Sequence, residues 1–143
     1  MVAHTLKFMR LFMAKNVLKP AGVQSRGSYS PGWEVSDGRM IFVAGQIPWN
    51  ADGQTVCKGD ISGQTRQVFT NIGTVLAEAG ATLDDVVKIT IFSADIRYRD
   101  AINQIRTETF KEPYPASTQV AVTSLVDPEW MVEIEAVAFV SSS

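Results

Sequence analysis

Two stretches of helical spacing are set among runs that read as strand. In residues 61–79 the apolar or small positions are Ile61, Thr65, Val68, Phe69, Ile72, Val75, Leu76 and Ala79, the recurrence of one helix face. Asp60 is placed to cap this helix and Gly80 to stop it. Gln64, Gln67, Asn71, Thr74 and Glu78 are expected on its outer side. The second stretch, residues 98–111, carries Tyr98, Ala101, Ile102, Ile105 and Thr109 on one side, and Pro113 and Pro115 end it.

The strand-like runs surround these two helices. Trp33-Glu34-Val35 and residues 40–44 flank Asp37-Gly38, a hairpin signal. Residues 86–92 are rich in β-branched side chains. In the next strand Thr118, Val120 and Val122 point one way, and Ser117, Gln119 and Ala121 the other. In the last, Val132, Ile134, Ala136 and Ala138 form one face, opposite Glu133, Glu135, Val137 and Phe139. The order β-β-α-β-α-β-β predicts an α+β fold, a mixed sheet with both helices on one face. Two helices cover only one side of five or six strands. The other side pairs Val137 and Phe139 with two carboxylates, which suits an interface between copies, lined by polar clefts.

Composition narrows the chemistry. At 143 residues the chain fits one domain, read as residues 13–143 behind a flexible extension of residues 1–12. A single cysteine, Cys57, excludes an intrachain disulfide and disfavours a zinc site. The lone His4 disfavours Ser-His and Cys-His catalysis. Carboxylates, hydroxyls, amides, Arg, Lys and backbone groups remain. No apolar run approaches the ~20 residues of a membrane span, so no membrane partner is expected. Residues 1–28 hold Lys7, Arg10, Lys15, Lys19 and Arg26 and no acid, and the rest holds 8 basic and 15 acidic residues, a body of −7. That balance argues against a nucleic-acid partner. A cytoplasmic location is expected, with a basic targeting segment at the N-terminus as the alternative.

Glu133 and Glu135 are the sharpest chemical signal. At i and i+2 on one strand face they lie ~7 Å apart. Either they repel, and one holds its proton more tightly, or a cation sits between them. Such a carboxylate can activate water; the plainer reading is a solvated face or an interface salt bridge. Ser117 and Thr118 could bind a carboxylate or carbonyl oxygen, or serve only as strand formers. Tyr29, in the Gly27-Ser28-Tyr29-Ser30-Pro31-Gly32 loop, is a lid or a plug. Asn103 reads as an ordinary polar-face residue, and Cys57 as an unreactive thiol with no nearby base.

Several segments, in order, resemble one family. They are Gly27-Ser28-Tyr29-Ser30-Pro31, Ala44-Gly45-Gln46-Ile47-Pro48, Gln64-Thr65-Arg66-Gln67 with Asn71-Ile72, the run from Ala79 to Lys88, Pro115-Ala116-Ser117-Thr118, and the run from Val132 to Ala138. Together they are similar to the reactive-intermediate deaminase (RidA, or YjgF) family. The resemblance implies a chorismate mutase-like fold, a homotrimer with a central β-barrel, and small-molecule clefts between subunits. It implies hydrolysis of 2-imino acids and their enamine tautomers to 2-keto acids and ammonia, with no metal and no cofactor. It assigns Glu133 to the attacking water, and Tyr29, Gly45, Asn103, Ser117, Thr118 and Gln119 to the substrate cleft. Gln119 falls where many members have Cys.

One position departs from the family. Members grip the substrate carboxylate with an Arg in a Pro-Ala-Arg-Ser segment, and Ser117 stands there in this chain. A serine cannot reproduce a bidentate Arg–carboxylate pair. An imine other than an ordinary 2-imino acid is therefore expected, unless Arg97, Arg99 or Arg106 supplies the cation. A non-catalytic small-molecule binder or interaction protein using the same clefts is the alternative.

Overall fold

A computed structural model describes residues 14–142. The extension expected at residues 1–12, with His4, lies outside the described residues. The strands are β1 (Lys15–Leu18), β2 (Gly32–Val35), β3 (Gly38–Gln46), β4 (Val86–Ser93), β5 (Ala116–Ala121) and β6 (Val132–Ser141). The helices are α1 (Ile61–Glu78) and α2 (Arg99–Thr109), each next to a short 3-10 turn, Leu83–Asp85 after α1 and Ile96–Tyr98 before α2.

The ends of α1 follow the sequence. The Asp60 carboxylate accepts the Gly63 N–H at 3.0 Å, and Gly80 takes φ +71° just past the last turn, a conformation glycine adopts without a Cβ clash. The outward placement of Gln64 does not hold. Gln64 is 0% exposed. Its amide donates to Glu129 O at 2.9 Å and to Val56 O at 3.4 Å, and its Oε1 accepts the Met131 N–H at 2.8 Å. One buried amide thus satisfies backbone groups of two loops, and that compensates its burial.

The main sheet has four strands in the order β3-β6-β4-β5, with β4 and β5 parallel and the other pairs antiparallel. Its covered face sets Ile89, Ile91, Val132, Ile134, Ala136 and Ala138 against Val68, Phe69, Ile72 and Leu76 of α1 and Ile102 and Ile105 of α2. Both helices lie on this face, as the periodicity predicts.

The hairpin expected at Asp37-Gly38 is not formed. β2 pairs with β1 in a separate two-stranded ribbon. Trp33 explains the diversion. Its indole N–H donates to Tyr114 O at 3.0 Å, and Lys15 Nζ sits 5.1 Å from its ring centroid. These contacts hold β2 beside β1 and the 110–115 segment. Asp37 makes a sharp turn at φ 55°, and β3 then leaves to pair with β6.

The open face carries Phe42, 74% exposed, with Met40 and Val120 also exposed. Phe139 is level with Met40 on this face, as expected, but is buried. Its ring lies against Gly38, where an added Cβ would come within 2.4 Å of the ring Cζ. Glycine makes that contact possible.

Gln64→Leu keeps the bulk and removes the amide, leaving the Met131 N–H and Glu129 C=O without a partner. A loss of about 2–3 kcal/mol is expected, read by urea denaturation at fixed protein concentration. An unchanged midpoint would mean that the two loops do not depend on this residue.

Candidate functional site

The connection from β4 to the parallel β5 runs through α2, which lays that helix over the covered face beside the edge strand. Residues of β5 alternate between faces. Ser117 and Gln119 are level with the buried Ile89 and Ile91 and face the helices; Thr118 is level with Thr90 and faces the open side.

Arg106 sits on α2 next to the apolar stripe of Ile102 and Ile105 and is only 7% exposed. Its Nη1 donates to Ser117 Oγ at 2.8 Å, and its Nη2 donates to Asn103 Oδ1, one turn back. Its Nε is buried with no hydrogen-bond partner among the described residues, as is Gln119 Nε2. Burial lowers the pKa of Arg106, Arg99 pushes the same way, and Tyr29 opposes them. A guanidinium keeps its proton through such a shift. The site therefore holds a fixed, partly desolvated cation.

The loop bearing Tyr29 is tied to the same place. Ser30 N–H donates to Pro115 O at 3.1 Å, Ser30 bridges Ala116 at the start of β5, and the Ser28 and Thr107 hydroxyls are 2.5 Å apart. The Tyr29 hydroxyl accepts the Arg26 N–H at 3.3 Å. A cavity of about 150 Å³ results, lined by Arg26, Gly27, Tyr29, Arg99, Asn103, Arg106, Ser117 and Gln119. Four of the predicted site residues, Tyr29, Asn103, Ser117 and Gln119, meet here. Asn103 is not an ordinary polar-face residue, since it positions the buried guanidinium.

The remaining three predicted residues lie elsewhere. Glu133 is level with Phe92, and Glu135 with Thr90, on the open face. Gly45 lies directly beneath Glu133: a Cβ there would be 2.2 Å from Oε1. Thr118 accepts from Lys88 Nζ at 2.8 Å. Burial lowers the pKa of Lys88 while Glu135 raises it, so a cation stands beside one of the paired carboxylates. This region borders a cleft of about 400 Å³ that includes Phe42, Lys88, Thr90, Glu135 and Val137.

A further groove, about 440 Å³, lies between the β1–β2 ribbon and the 110–115 segment. It contains none of the predicted residues. Among the described residues no three His, Cys, Asp or Glu side chains are grouped to hold a metal, and no helix is long and apolar enough to cross a membrane.

Sequence reasoning named Arg106 only as one of three candidate cations and passed over Arg26. The available signal was the place of Arg106 beside Ile102 and Ile105, a position where a solvated arginine is not expected. Arg97, the third candidate, is instead paired with Asp95 at 2.5 Å and highly exposed.

A sequence model described as endoribonuclease L-PSP matches residues 20–140. A RutC family protein of Pyrococcus abyssi is 42% identical over 133 residues, covering 89% of this chain and 98% of the relative. A Dermatophagoides farinae protein named 2-iminobutanoate/2-iminopropanoate deaminase is 34% identical over 121 residues, covering 85% and 92%. The crystal structure of YyfB, a Rid family protein of Yersinia pestis described as of unknown function, aligns with TM-score 0.80 at 33% identity, covering 90% of this chain and all of that one.

Ser117→Ala removes an acceptor from a buried charged donor and is expected to cost about 1.5–3 kcal/mol. Ser117→Arg should cost more, because it also sets a second guanidinium against Arg106. Urea midpoints of the two variants test the order; equal stability would disprove the contact.

Proposed function

We propose that this chain, which belongs to the endoribonuclease L-PSP family of YjgF and Rid proteins, is a hydrolase of C=N bonds, an imine or enamine deaminase. The observation that carries the reading is Arg106 held beside Ser117. The expectation of an imine other than an ordinary 2-imino acid held only if no other arginine replaced the strand arginine. Arg106 comes from α2 to donate to Ser117 Oγ, which supports a 2-imino acid held by its carboxylate.

In the proposed reaction, Glu133 accepts a proton from water as the oxygen adds to the imine carbon. The resulting carbinolamine is protonated on nitrogen and releases ammonia, leaving a carbonyl. One water is consumed, and nothing is oxidised or reduced. Imines hydrolyse readily in water, so positioning accounts for much of the task.

Arg106 and Glu133 reach opposite sides of the sheet, so a cleft containing both takes them from two copies. The exposed Phe42, Met40 and Val120 support a closed homotrimer joined through the open face. The family description names an endoribonuclease. Against that activity, residues 29–143 carry 8 basic and 15 acidic side chains, a poor match for a phosphate backbone.

Ammonia release from freshly generated 2-iminobutanoate tests the reaction. Glu133→Gln and Arg106→Ala should each lower kcat/KM by roughly 10²-fold or more, the scale of a lost general base or charged anchor. The exchange Arg106→Ala with Ser117→Arg should recover much of the loss. Wild-type turnover no faster than the spontaneous rate would sink the proposal. Light scattering should give three times the chain mass for wild type, and a smaller species for Phe42→Asp; a wild-type monomer would remove the shared cleft.

A further inference from the structure

A single carboxylate does not use all that this pocket offers. Three arginines, Arg26, Arg99 and Arg106, line it, and no aspartate or glutamate does. Arg106 is already engaged by Ser117 and Asn103, both neutral, and its Nε still lacks an acceptor. Gln119 Nε2 is a second buried donor without one. Two orphaned donors in one small cavity are costly unless an acceptor arrives to meet them.

The outer arginines are lightly committed. Among the described residues, the ion pair of Arg99 is with its neighbour Asp100, at 3.1 Å, with both side chains largely in water, a pair of little worth. Arg26 has no ion pair among the described residues. One carboxylate on Arg106 therefore leaves Arg26 without an anion and Arg99 with only the exposed Asp100.

Resting on the deaminase reading, we infer that the pocket is built for a dianion, a short 2-imino dicarboxylate, with its first carboxylate on Arg106 and Gln119 and its distal carboxylate between Arg99 and Arg26. Water adds across the C=N bond of this substrate, and ammonia and a 2-oxo dicarboxylate leave. A monocarboxylic imine uses only the inner half of the site.

The test has two readouts. The first is kcat/KM for freshly generated 2-iminosuccinate and 2-iminoglutarate against 2-iminobutanoate. The second is calorimetric affinity for 2-oxoglutarate against 2-oxobutanoate, which needs no turnover. Wild type should favour the dicarboxylate roughly tenfold or more in both, the scale of one added charge-assisted bond. In Arg26→Gln/Arg99→Gln that ratio should collapse to about twofold or less. Glu133→Gln should lose ammonia release and keep the binding preference. Ammonia from all imines with no dicarboxylate preference, or a preference that survives the double substitution, overturns the dianion assignment and leaves the deaminase standing. Preference in binding with no ammonia from any imine does the reverse. Absence of both overturns both.

Discussion

Parallel pairing of β4 with β5 cannot be closed by a tight turn, and α2 is the crossover it requires. That constraint fixes much of what surrounds the candidate site. It lays α2 on the face already covered by α1, puts β5 at the sheet edge, and brings Arg106 above Ser117. The Ser28–Thr107 and Ser30–Pro115 bonds then draw the Tyr29 loop over the same edge. Residues distant in sequence converge because one strand had to return in the direction of its neighbour.

The same sheet divides the chemistry in two. Ser117 and Glu133 belong to strands on either side of β4, and each points to a different face. The covered face holds a cation with unused donors. The open face holds Glu133 over Gly45, where the missing side chain leaves room for the carboxylate. On the reading proposed above, association through exposed apolar surface also completes the reaction centre.

Much of this was legible in the chain. The two helical periods, the Asp60 and Gly80 boundaries and the alternation in β6 predicted the helix layer and its covered face. β1 was not legible: four half-buried residues form a strand only because β2 turns away to meet them, a choice made by Trp33 and its distant partner Tyr114. Gln64 was misplaced because polarity was taken as exposure, although a fully bonded amide can be buried. Tyr29, Asn103, Ser117 and Gln119, which the resemblance assigns to the cleft, line one cavity. The use of Arg106 was beyond sequence reasoning, since spacing along a helix does not reveal what strand lies beneath it.

The seat of the guanidinium has a bearing on descent. An arginine at position 117 would enter the space where Arg106 now meets Ser117, and the two like charges would repel. A lineage passing the charge from one position to the other meets a crowded intermediate with both charges or an empty one with neither. Each is disfavoured, so the two positions are physically coupled. On the reading proposed above, the charge that meets the substrate is carried by the crossover helix, and the strand beneath it supplies only the hydroxyl that holds that charge in place.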